Sequence, residues 1–81
     1  MGRIPQKLKI SNRVHILRAE KRISQQELAD EIEVTRATIN AIESGDYNPS
    51  LELAFRISHY FKTDIQNIFY IEEKRKWKKL I

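Results

Sequence analysis

The sequence predicts an all-α fold of five short helices around one small core. Three observations predict it. Apolar residues recur at three- and four-residue spacing in successive segments, and each segment follows a Ser, Thr or Asn able to cap it. Only two glycines and two prolines punctuate 81 residues, too few for the turns of a β-sandwich or barrel. There is no cysteine, so disulfide frameworks, cysteine zinc sites and thiol catalysis are excluded together, and a cytoplasmic chain is expected. With 41% hydrophobic and 32% charged residues, the chain suits one folded domain and is too apolar for a disordered segment. Its longest apolar run, Ile68-Phe69-Tyr70-Ile71, is far short of the ~18 residues of a membrane span. The first 20 residues lack the apolar core of a signal peptide. A core this small, without covalent staples, is marginal, and a homodimer is expected.

The first helix runs from Asn12 to Lys21, with Val14 and Leu17 inward and Ser11 or Asn12 as its cap. Ser24-Gln25-Gln26-Glu27 is a capping box, in which hydroxyl and carboxylate each bond the other residue's main-chain amide. It opens a second helix over 24–31, with Leu28, Ala29 and Ile32 on one stripe. Thr35 caps a third helix over 35–43, Ile39 and Ile42 face inward, and Gly45 is placed to end it. Asp46-Tyr47-Asn48-Pro49 forms a loop. Ser50 caps a fourth helix reaching Tyr60 or Phe61, with Leu51, Ala54, Ile57, Ser58 and Phe61 inward. Thr63-Asp64-Ile65-Gln66 reads as a second capping box opening a short fifth helix to about Ile68. Phe69-Tyr70-Ile71 is β-prone and Leu8-Lys9-Ile10 alternates, so the two ends are able to pair as a short two-stranded sheet. The chain divides into a basic arm or strand (1–11), a helical domain (12–69), and a strand with a basic tail (70–81).

Charge is unevenly placed. The formal net charge is +4, yet residues 12–73 hold seven basic against eleven acidic residues. Arg3, Lys7 and Lys9 at one end and Lys74, Arg75, Lys76, Lys78 and Lys79 at the other make the protein basic. Binding a polyanion therefore needs a local positive face, and Arg13, Arg18, Lys21 and Arg22 form one candidate. The acids Glu27, Asp30, Glu31 and Glu33 fall mainly on the second helix and the turn after it.

Only Glu33 and Val34 separate the second and third helices. Two short helices so joined cross steeply, as in a helix-turn-helix. The crossing needs a small residue where the helices touch, supplied by Ala29. Apolar residues must close the wedge, supplied by Leu28, Ile32, Val34, Ile39 and Ile42.

On these residues the chain resembles the phage-repressor and Cro-type helix-turn-helix proteins, the XRE family. The matching stretches are Leu17-Arg18, Ile23-Ser24-Gln25-Gln26-Glu27-Leu28-Ala29, Thr35-Arg36-Ala37-Thr38-Ile39, Ile42-Glu43-Ser44-Gly45 and Asn48-Pro49-Ser50-Leu51. The resemblance spans Asn12 to Phe69. It implies a five-helix, lambda-repressor-like domain whose third helix reads the DNA major groove. It also implies that Gln25 contacts a phosphate, and that Arg18 and Glu43 form a partly buried ion pair tying that helix to the scaffold. Family members often carry glycine where Arg22 and Glu33 stand. A left-handed Glu33 costs roughly 1 kcal/mol relative to glycine.

At about 100° per residue, Ala37, Asn40, Ala41 and Ser44 point away from Ile39 and Ile42, with Thr35, Arg36 and Thr38 at the N-terminal end. Arg36 is suited either to guanine O6 and N7 or to a phosphate, and Asn40 to adenine. Ala37 or Ala41 suits a thymine methyl. Ser44, Tyr47 and Asn48 are candidates for the DNA backbone. Phe69, Tyr70 and Ile71, with Leu53 or Phe55, either bury a two-fold dimer patch or close the monomer's own core. The tail from Lys74 reads as a disordered arm adding phosphate contacts, as a helical turn docking Trp77, Leu80 and Ile81, or as a solvated end; those three apolar residues share one helical face, which favours docking and leaves the lysines a long-range electrostatic part.

Enzyme readings are weak. His15 and His59 are the only histidines, and neither has a metal-like partner spacing. No nucleophile elbow or phosphate-cradling glycine loop is present. No metal, cofactor or small-molecule ligand is expected. The expected function is sequence-specific binding of double-stranded DNA by a homodimeric transcriptional regulator, a repressor. The alternative is a protein-interaction or antitoxin-like module built on the same fold.

Overall fold

The computed structural model describes residues 8–72. In chain order these form β1 (Ile10–Asn12), α1 (Val14–Lys21), α2 (Gln25–Ile32), α3 (Arg36–Ser44), α4 (Leu51–Phe61), a 3-10 turn (Ile65–Asn67) and β2 (Phe69–Ile71). Arg3, Lys7 and the basic tail from Lys74, with Trp77, Leu80 and Ile81, lie outside the described residues.

Among the described residues there are four α-helices, which corrects the expected five. The fifth is only the three-residue 3-10 turn. It starts from Asp64, whose side chain makes no capping bond, so the capping box expected at Thr63 does not form. Chain geometry explains the shortness. Ile68 is fully buried, its carbonyl accepts from the Arg13 amide at 2.8 Å, and the next residue already belongs to β2. One turn is all that fits.

The two strands pair antiparallel, with Ile10 opposite Ile71, Ser11 opposite Tyr70 and Asn12 opposite Phe69. Asn12 thus belongs to the sheet and not to the first helix. It still caps that helix from outside, its Oδ1 accepting from the Val14 amide at 3.1 Å. Its Nδ2 donates to the Ile42 carbonyl at 2.9 Å, so one side chain joins the start of α1 to the end of α3.

The core collects Val14, Leu28, Ala29, Ile32, Ile39, Ile42, Leu53, Ile57 and Ile68, with Leu17, Ile23, Val34, Tyr60, Phe61 and Phe69 packed around them. Each large aliphatic side chain so buried contributes about 1.5–3 kcal/mol. Ala29 is fully buried, and α2 packs chiefly on α3. A larger side chain at Ala29 would push those two helices apart. On α4 the inward set needs correction. Leu51 is 70% exposed and Leu53 is buried in its place. At about 100° per residue Leu53 lies only about 40° from Ile57, whereas Leu51 lies about 120° away.

The helix ends follow the sequence signals. Ser24 and Glu27 complete the capping box, and the hydroxyls of Thr35 and Ser50 accept from the Thr38 and Leu53 amides. Gly45 ends α3 in the left-handed region at φ 87°, a conformation glycine adopts freely. Arg22 (φ 57°), Glu33 (φ 60°) and Lys62 (φ 53°) end the other three α-helices in the same conformation without being glycine. The left-handed turn after α2 is further held by Arg56, whose Nη1 donates to the Ile32 carbonyl at 2.7 Å. At the far side, Lys21 of α1 lies 5.2 Å over the Tyr60 ring of α4. No helix among the described residues is long and apolar enough to cross a membrane.

Candidate nucleic-acid interface

Helix α3 is held on one side and open on the other. Ile39 and Ile42 are buried, while Arg36, Ala37, Asn40 and Ser44 are exposed and Thr38 and Ala41 are half-buried. The Arg36 side chain has no hydrogen bond or ion pair with another described residue, which leaves its five donors available. At the N-terminal end, Thr35 Oγ1 accepts from the Thr38 amide at 3.1 Å and lies 3.0 Å from Thr38 Oγ1. Two hydroxyls share one hydrogen between them, so the pair keeps one hydrogen to donate outward. At the C-terminal end, Ser44 Oγ donates to the Ala41 carbonyl at 3.1 Å and lies 3.2 Å from Asp46 Oδ2. Tyr47 and Asn48 are exposed in the loop that follows.

The helix is anchored at its inner edge by charge. Arg18 Nε donates to Glu43 Oε2 at 2.7 Å, and Nη2 donates to Oε1 at 3.1 Å, a bidentate pair. The third donor of the guanidinium, Nη1, reaches the Ile23 carbonyl at 3.0 Å, just before α2. One arginine on α1 therefore fixes both the end of α3 and the entry to α2. The side chains are 20% and 10% exposed, so the pair is largely out of water. Burial pushes the Glu43 carboxyl upward. The hydrogen bonds from Arg18 and Gln25, and the charges of Arg18 and nearby His15, outweigh it and hold the carboxyl below the ordinary glutamate range. The hydrogen bond to Glu43 and its charge likewise raise Arg18 against its own desolvation. Both groups are ionised at neutral pH.

Gln25, the first residue of α2, bridges to α3. Its Nε2 donates to Glu43 Oε1 at 3.0 Å and to Asn40 Oδ1 at 3.3 Å. The sequence places Gln25 at this edge, but the link from Gln25 to Asn40 is not expected from it. The helical register carries a signal for it, because Asn40 and Glu43 lie three residues apart and so share a face.

Two short helices crossing at Ala29, with an exposed face of Arg36, Ala37 and Asn40, form a helix-turn-helix unit. A family model for this unit, described as helix-turn-helix, matches residues 14–68. The chain belongs to the XRE-type helix-turn-helix family. Its relatives are named as HTH-type transcriptional regulators. An uncharacterized one from Archaeoglobus fulgidus is 42% identical over 83% of this chain and 94% of its own length. Another from Bacillus subtilis is 43% identical over 80% of this chain and 98% of its own. Among solved structures, the restriction-modification controller protein C.AhdI from Aeromonas hydrophila superposes with a TM-score of 0.63 at 25% identity, covering 68% of this chain and 80% of that one. A Bacteroides fragilis crystal structure shares the fold at a TM-score of 0.68 and 23% identity, over 75% of this chain and 98% of that one. As a member of this family the chain is a DNA-binding regulator.

Within this XRE-type domain the apolar residues proposed for an interface separate into two groups. Phe69 is half-buried against the core, and Leu53 is consumed by it, so Leu53 is unavailable to a dimer patch. Tyr70 (44%), Ile71 (49%), Phe55 (53%) and Leu51 remain exposed. Leu51 and Phe55 are four residues apart and share one face of α4.

Proposed function

We propose that this protein is a sequence-specific transcriptional repressor that binds a pseudo-palindromic site in double-stranded DNA as a homodimer. In this reading α3 lies in the major groove and presents Arg36, Ala37 and Asn40 to base edges. Thr35, Thr38, Ser44, Tyr47 and Asn48 border it and hold the flanking phosphates, and Gln25 joins the same edge from α2. The observation that carries the reading is Arg36. It is an exposed, unpartnered cation at the start of a helix whose opposite face is buried and whose end is clamped by Arg18 and Glu43. A guanidinium so placed has nothing to satisfy it within the described domain and suits guanine O6 and N7.

One recognition helix covers few base pairs, so specificity calls for two half-sites about 34 Å apart. The exposed Tyr70, Ile71, Leu51 and Phe55 supply apolar surface for the two-fold contact. A domain seated over a promoter blocks it by occupancy, which makes repression the simplest outcome. The setting is the cytoplasm, where the DNA is, with no cofactor required. Selection from random duplex DNA tests the reading. Enrichment of an inverted repeat with half-sites one helical turn apart is expected. Failure to enrich any sequence at moderate salt would overturn it.

A further inference from the structure

The two-stranded sheet and α3 are joined by one side chain. Asn12 stands opposite Phe69 in the sheet, and Phe69 packs against the core. The next two residues of β2, Tyr70 and Ile71, are exposed. Asn12 Nδ2 donates to the Ile42 carbonyl at 2.9 Å. That carbonyl lies in the last turn of α3, where the helix itself no longer supplies an amide at the regular spacing. It also accepts from the Gly45 amide at 3.0 Å, so both of its lone pairs are used. Asn12 Oδ1 accepts from the Val14 amide at 3.1 Å. With a main-chain donor on one side and a main-chain acceptor on the other, the two ends of the Asn12 amide cannot change places.

Each strand is three residues long, and a lone pair of strands so short is marginal by itself. Its place relative to α3 depends on what ties it to the helices. The packing of Phe69 is non-directional, whereas the Asn12 bond has a fixed direction and ends on α3 itself. The surface available for a two-fold contact at Tyr70 and Ile71 is on β2, while Arg36, Ala37 and Asn40 are on α3. One base pair of extra spacing moves a half-site by about 3.4 Å and turns it by about 34°, so small play between sheet and helix decides which spacings fit. We propose that Asn12 is a positioning residue that locks the sheet to the end of α3 and thereby sets the half-site spacing the dimer accepts. This rests on the reading of a dimer with α3 in the major groove and β2 at the two-fold contact.

Asn12→Asp and Asn12→Ser separate this part from simple capping. Both keep an oxygen able to accept from the Val14 amide. Neither donates to Ile42, since an ionised aspartate has no hydrogen and the serine hydroxyl ends one bond short. Affinity is measured for the selected duplex and for duplexes with one base pair added or removed between the half-sites. The wild type should lose at least about tenfold on either change, and both variants no more than about threefold. Base preferences within each half-site and the dimer seen in sedimentation should stay as in the wild type. A purely stabilising side chain would lower the melting midpoint and leave the spacing profile alone. The proposal is overturned if both variants stay as strict about spacing as the wild type. A wild type that selects no paired half-sites overturns the dimer reading as well, a result distinct from strict spacing that survives substitution. The free wild-type protein gives a readout independent of variants. The Asn12 side-chain NH2 hydrogens should exchange slowly, and fast exchange contradicts the bond to Ile42.

Discussion

Replacing Glu43 by alanine leaves the Arg18 guanidinium with only the Ile23 carbonyl to accept from it, in a position where its side chain is 20% exposed. The magnitude lies between two limits. An exposed pair is worth about 0–1 kcal/mol, and breaking a fully buried one costs about 3–5 kcal/mol. Exposures of 20% and 10% and bidentate geometry put this pair near the buried limit, so a loss of about 2–4 kcal/mol is expected. In a domain of this size each kcal/mol lowers the melting midpoint by roughly 4–8 °C. Thermal unfolding of Arg18→Met, Glu43→Leu and the double variant measures the coupling directly. The double variant should be less destabilised than the sum of the singles by at least about 1 kcal/mol, since no lone charge is left behind. The pH dependence has a definite sign. The folded Glu43 carboxyl is held below its unfolded value, so the unfolded chain binds more protons between the two. The stabilisation is complete above about pH 4.3 and disappears as pH falls through the lower folded value. The gap between wild type and Glu43→Leu should therefore close in acid. Additivity within about 0.5 kcal/mol, or a gap that does not change with acid, would refute the reasoning.

Glu33→Gly should stabilise the domain by about 0.5–1 kcal/mol in chemical denaturation, because relief of the left-handed strain exceeds the added freedom of the unfolded chain. Lys62→Gly should act the same way. Ala29→Leu should cost about 1–3 kcal/mol by overpacking the α2–α3 crossing, read as a lower denaturation midpoint. Sedimentation at micromolar concentration should show a dimer, shifted toward monomer by Phe55→Asp or Ile71→Asp without loss of helical signal.

Much of this architecture is legible in the sequence because its signals are local. Ser24 with Glu27, Thr35, Ser50 and Gly45 mark helix ends through bonds spanning a few residues, and each is used as read. The stripes of α2 and α3 are equally clear in the sequence, and Leu28, Ala29, Ile32, Ile39 and Ile42 are all buried. Where burial is decided by distant partners, the reading fails. The capping-box pattern at Thr63 is overridden by the pairing of Asn12 with Phe69, a contact far away in sequence. Leu51 looks inward by composition but stands at the open start of α4. At the site, the Arg18–Glu43 pair follows from family resemblance and is present in the structure. The bond from Gln25 to Asn40 needs the actual crossing of α2 and α3, which residue types alone do not give.

The central claim, that α3 reads sequence, is tested most directly by Arg36→Ala on the selected duplex. Affinity for that site should fall by about 1–3 kcal/mol, and preference should relax at one base pair per half-site while the others keep theirs. An unchanged affinity and an unchanged preference profile would contradict the account.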